Sequence, residues 1–191
     1  MAATDFAAMA GIDLPERLYA KLVDHGRRKL FGPWIASEEQ APKAYGLIGG
    51  RLRDRTATVT HVIPLINNLR DRPDLKVEVD RLMDSVAFPS ETPLDRRGWV
   101  ADPRELLVAE RHCDAEGAVL FGAYHMHRIP WPHDPTRDTC TAIDTALAEG
   151  SGMWSFILSM VSPTQPRLRA FFEGDNAREA PIRCDDRSLP C

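Results

Sequence analysis

Two histidines one residue apart, His125 and His127, close the apolar run GAYHMH, and an aspartate, Asp138, follows after the loop RIPWPHDPTR. Residues i and i+2 of a strand project from the same face, so both imidazoles can reach one point. A carboxylate at the start of the next helix is stabilised by the helix dipole and can supply a third ligand. Two histidines and an aspartate with one coordination position left open are the donor set of a hydrolytic zinc centre. Zinc in such a site brings the pKa of a water toward ~7 and polarises a carbonyl, which is what amide hydrolysis requires.

A histidine pair of this spacing also arises in plainer ways. Six histidines in 191 residues sometimes fall two apart by chance, and polar strand ends tolerate them. Metal-dependent amidohydrolases carry such a pair in a barrel of about 250 residues, longer than this chain. Cupin-type sites need an all-β chain with a glutamate soon after the histidines, and none stands between His127 and Glu149.

The elements that must hold these residues are readable from periodicity. IDLPERLYAKLVDHGRRKLF, with Asp13 as the expected cap, sets Leu14, Leu18, Leu22 and Val23 on one stripe, predicting an amphipathic helix that stops near Gly32. AYGLIGGRL and TATVTHVIPLI, separated by RDR, read as a strand hairpin. Residues 68–101 are polar and broken by prolines, an insertion over the core with a short helix at 74–86. ADPRELLVAER begins a helix capped by Asp102, with Glu105 in capping-box position. GAVLFGAYHMH is then a strand, DTCTAIDTALAEG a helix from Asp138, and MWSFILSMV and RLRAFF two more strands. Residues 1–175 are expected to form one α/β (α+β) domain around a curved mixed sheet flanked by helices, with 176–191 as a C-terminal tail.

Composition narrows the function classes. A hydrophobic fraction of 43% supports one ordinary core, and a net charge of -4 argues against nucleic acid or anionic membrane as a partner. No apolar run approaches the ~20 residues of a membrane helix, and a cytoplasmic chain is expected. Cys113, Cys140, Cys184 and Cys191 form no CxxC pair and are expected as thiols; Cys184 and Cys191 could bridge only in an oxidising compartment.

The order of these pieces resembles the JAMM (MPN-type, JAB domain) metallopeptidases. The family pattern is a glutamate ahead of a GLLxG strand, then H-[ST]-H-x7-S-x2-D. YGLIGGR matches the glycine strand, VTHVIPLINN the strand after it, DPRELLVAER the helix before the metal strand, and LFGAYHMHRIPWPHDPTRD the metal motif, with Asp138 at the family spacing. The resemblance covers roughly residues 14–172. It implies Zn2+ on His125, His127 and Asp138, and hydrolysis of a peptide or isopeptide bond near the C-terminus of a ubiquitin-like or sulfur-carrier-like protein. Its alternative is a catalytically impaired scaffold or binding module of the same fold that keeps the ligands.

Three positions depart from the pattern: Lys43 stands at the catalytic glutamate, Met126 between the histidines, and Pro135 at the serine. A lysine about 6 Å from a dication at an effective dielectric of ~20 meets roughly 5 kcal/mol of repulsion, so Lys43 must turn away or lose its proton. Glu39, with Glu38 the second choice, is the candidate replacement catalytic base if Pro42 turns the chain sharply enough to bring the carboxylate back; the plainer reading of both is two solvated acids on a loop. Asp134 lies in the metal loop between two prolines and reads as structural. Trp99 and Trp131 are candidates for the walls of a substrate groove, and Ser159 reads as a strand residue.

Overall fold

The computed structural model describes residues 6–184 and the backbone of 187–188. The expected hairpin is present as β2 (Tyr45–Arg53) and β3 (Thr56–Pro64), paired antiparallel. Its turn residues Asp54 and Arg55 both take positive φ, 49° and 65°, the left-handed pair that a two-residue turn needs to match strand twist. β4 (Val119–His127) adds antiparallel to β2, β5 (Trp154–Ser159) parallel to β4, and β6 (Arg167–Phe172) antiparallel to β5.

Beyond β3 the sheet continues with β1 (Gly11–Asp13) and β8 (Ile182–Cys184), each parallel to its neighbour, and then β9 (Arg187–Ser188). Beyond β6 lies β7 (Glu179–Ala180). The order among the described residues is β7-β6-β5-β4-β2-β3-β1-β8-β9. Pro181 alone separates β7, at one end of that order, from β8, near the other. The sheet must therefore curl until its ends nearly meet.

Helix α1 (Glu16–Phe31) lies in the concavity, where Leu18, Leu22 and Val23 join Ile48, Val62, Phe121, Tyr124 and Phe156 in the main core. Removing a fully buried leucine such as Leu22 from a core of this kind costs about 2–5 kcal/mol. Helix α3 (Pro103–Ala115) covers the opposite face, on a second core of Tyr45, Leu47, Leu65 and Ala109. Helix α2 (Pro73–Val86) lies in the insertion and packs against α4 (Ala142–Ala148). The insertion is organised by Arg70, fully buried, whose Nε donates to the Arg97 carbonyl at 2.8 Å and whose Nη2 donates to Asp80 Oδ1.

Four expectations change. Asp13 is not a helix cap: it ends β1 and accepts from Arg183 Nε at 3.0 Å, while α1 starts after Pro15. Asp102 caps α3, accepting from the Arg104 amide at 2.9 Å, but Glu105 does not complete a capping box; its carboxylate takes the amides of Ile66 and Asn67, both at 3.0 Å. The helix expected from Asp138 begins at Ala142. Within the segment expected as a tail, β7, β8 and β9 pair in the sheet. Cys113, Cys140 and Cys184 are buried, and Cys191 lies outside the described residues. No described helix is long and apolar enough to cross a membrane.

Candidate metal centre and its cavity

Alternation along β4 sets the site. Tyr124 faces α1, where its hydroxyl lies 2.7 Å from Nδ1 of His25, so His125 and His127 project from the opposite face. Pairing puts Tyr45, His125, Ile157 and Arg169 in one cross-strand row, and His127, Ser159 and Arg167 in the next. Met126, between the histidines, turns inward and packs on the main core.

The Nε2 atoms of the two histidines are 3.0 Å apart. The third group is Asp144, with Oδ1 3.1 Å from His125 Nε2 and Oδ2 3.5 Å from His127 Nε2. Four ligands at 2.0–2.1 Å from a tetrahedral zinc are separated by about 3.3–3.4 Å, so these spacings fit one ion. The tautomer fits too. His127 Nδ1 lies 3.0 Å from the carbonyl of Arg137, which can only accept, so Nδ1 carries the proton and Nε2 turns a lone pair toward the cluster. Burial pushes the His127 pKa down, holding the ring neutral. Burial opposes ionisation of Asp144, but the two imidazoles outweigh it and hold the carboxyl well below the usual range. A neutral His127 ring and an ionised Asp144 carboxylate suit metal ligation.

Asp144 is aimed by local structure. It is the third residue of α4, and with Thr141 it forms a reciprocal capping box: Oδ2 accepts from the Thr141 amide and hydroxyl, both at 2.7 Å, and the Thr141 hydroxyl accepts from the Asp144 amide at 3.4 Å. The box fixes Oδ2 and leaves Oδ1 facing His125.

Asp138, the expected third ligand, does not join the histidines. It lies under β5 and β6, with its carboxylate on Arg167 Nη1 at 3.0 Å and Arg169 Nη1 at 3.2 Å. Burial works against its charge, but the two arginines outweigh it and lower its pKa. Asp138 therefore anchors the loop to the sheet. Ser159 has the same role, its hydroxyl donating to the Thr136 carbonyl. Asp134 ties the loop internally through the Arg137 amide at 2.8 Å and the Thr139 hydroxyl at 3.1 Å.

The two glutamates separate clearly. Glu38 is buried against Arg28, Lys29 and the Ile35 amide. Burial alone would raise its pKa, but these partners outweigh it and lower it, so Glu38 is a structural anion. Glu39 sits on the cavity wall because the chain turns sharply at 39–43, with Ala41 N on Glu39 O at 2.9 Å and Lys43 N on Ala41 O at 2.8 Å. Its carboxylate accepts from Lys43 Nζ at 2.9 Å, Asn68 Nδ2 at 2.9 Å and the Tyr45 hydroxyl at 3.3 Å. Lys43 is thus neutralised by Glu39, which answers the repulsion expected of it. Tyr45 stacks on Trp99, ring centroids 5.1 Å apart, so the insertion supports this wall.

A cavity of about 550 Å³ opens over the cluster, lined by Glu39, Trp99, His125, His127, Trp131 and Asp144 among others. Arg137 also lines it, at φ 50°, its guanidinium 3.4 Å above the Trp131 ring. Its Nη1 is buried and has no hydrogen-bond partner among the described residues. Thr141, Asp144, Asn68 and Arg137 were not anticipated; the T-x-x-D spacing before an apolar helical run was the signal for the first two.

The chain matches no family model and no curated protein. Among solved structures it is similar to a protein from Desulfitobacterium hafniense, at 24% identity over 91% of this chain and 92% of that one, with a TM-score of 0.57. It is also similar to a protein from Salinibacter ruber, at 18% identity over 94% and 95% of the two chains, with a TM-score of 0.47. The first likeness shows a shared mixed α/β fold.

Proposed function

We propose that the chain is a zinc-dependent peptidase or isopeptidase of JAMM type, acting near the C-terminus of a ubiquitin-like or sulfur-carrier-like protein. The observation that carries this reading is the mutual spacing of His125, His127 and Asp144, 3.0–3.5 Å between donor atoms, at the floor of a cavity. Thr141 and Asp144 also reproduce the S-x2-D part of the family pattern, with threonine for serine, farther along than Pro135 and Asp138.

His125, His127 and Asp144 would hold the ion. When bound, zinc supplies a nucleophile at neutral pH by lowering the pKa of a water and acts as a Lewis acid on a carbonyl. Among the described residues, the cavity-wall carboxylates besides Asp144 are Glu39, Asp71 and Asp95, and Glu39 is the one that accepts from Tyr45, the cross-strand partner of His125. It takes the role of proton carrier from the departed family glutamate. Trp99 and Trp131 wall the cavity and suit an extended chain. Arg137 Nη1 is an unused donor for a substrate oxygen.

A scaffold reading draws on one observation: the Glu39 carboxylate already accepts from three donors, Lys43, Asn68 and Tyr45, which occupy the oxygens a reacting water would need. Turnover decides between them. Zinc-loaded protein incubated with peptides and ubiquitin-like tail fusions should release the C-terminal fragment, and His125→Ala should abolish this. Zinc-loaded protein that hydrolyses none of them above buffer would favour the scaffold.

A further inference from the structure

A second cluster of metal-ligand groups lies midway along the hairpin. Gly49 pairs with His61, while Tyr45 pairs with His125, which puts the two rows about 13 Å apart along β2. Here the last turn of α3 comes down on the sheet. A Cβ at Gly49 would lie 2.5 Å from Cys113 Sγ and 3.3 Å from His61 Cβ, so only glycine permits this approach. Arg51 fixes the turn that follows, donating to the carbonyls of Glu116 and Gly117.

The approach brings three donors together. His112 and Glu116, one helical turn apart, face His61 from above, and the ligand atoms of all three lie within 4.8 Å of one another. His61 Nε2 is 3.1 Å from Glu116 Oε2, and His112 Nε2 is 4.0 Å from Glu116 Oε1. His61 is buried, and its Nδ1 lies 2.7 Å from the Thr60 hydroxyl. A partner on the far ring nitrogen is what orients a metal-bound histidine. The other two side chains are half exposed, which leaves the open position to solvent.

We infer that His61, His112 and Glu116 form a second binding site, for a borderline divalent cation of the zinc type, which clamps the C-terminal end of α3 to β3. Two imidazoles and one carboxylate select against calcium and magnesium, which take oxygen ligands. The site is independent of the one under the cavity and rests on none of its residues.

The full chain, stripped with a chelator, is titrated with Zn2+ and the bound metal counted after desalting. Wild type should hold two equivalents. His112→Ala and Glu116→Ala, both at solvent-exposed positions, should each hold one, and Asp144→Asn should lose the other. Zn2+ should raise the melting temperature of Asp144→Asn but not of Asp144→Asn with His112→Ala. A wild type holding only the equivalent that Asp144→Asn removes would overturn the inference, as would a second equivalent that survives both His112→Ala and Glu116→Ala. A single equivalent lost with His112→Ala but kept in Asp144→Asn would support this site and count against the metal centre under the cavity.

Discussion

Thr141 and Asp144 hold each other in a capping box, and the same carboxylate reaches to 3.1 Å from His125 Nε2. One side chain thus starts α4 and completes the metal-ligand cluster. The rigidity of the ligand comes from the helix terminus rather than from the loop before it.

Thr141→Ala should therefore do two things. Losing the cap should cost about 1 kcal/mol of stability, read by urea unfolding. Losing the group that orients Asp144 should weaken zinc binding roughly 10–100-fold, read by competition with a chelating dye. Thr141→Ser should restore both; a variant that keeps wild-type zinc affinity would separate the cap from the site.

The histidine pair was legible because it depends only on strand alternation, a local property. The third member of the cluster was not, because counting residues to Asp138 ignores where the loop goes. Arg167 and Arg169 are distant in sequence, and they take Asp138 away from the histidines. The helix start, T-A-I-D, was a local signal, and it marks the residue that arrives. Strands β7 and β8 were missed for a different reason: segments of two and three residues have no periodicity, and they become strands only by pairing with β6 and β1. α1, α2, α3 and the hairpin were read within a few residues because each carries its own pattern.

Glu39→Gln keeps the size of the side chain and removes its capacity to take a proton. Cleavage should fall by ~10²-fold or more in kcat, with zinc content unchanged. Undiminished turnover with zinc still bound would exclude Glu39 as the base.

His25 is buried beside Tyr124, and burial, with Arg28 and Lys29 nearby, lowers its pKa from 6.5 to about 4. As pH falls the unfolded chain takes the proton first. Stability present above pH 6.5 is therefore lost progressively down to pH 4, about 3 kcal/mol from this group. His25→Gln should be less stable than wild type at pH 7, and the gap should narrow by about that amount at pH 4 in urea unfolding. A gap that stays constant with pH would show that His25 does not titrate as its surroundings dictate.

The central claim is that Asp144, and not Asp138, is the third ligand beside His125 and His127. The most direct measurement is the zinc content of Asp144→Asn and Asp138→Asn, purified and loaded side by side with wild type. Asp144→Asn should lose one equivalent relative to wild type, while Asp138→Asn should keep it and lose only the stability that its pairing with Arg167 and Arg169 provides. Zinc retained in Asp144→Asn and released in Asp138→Asn would contradict the account.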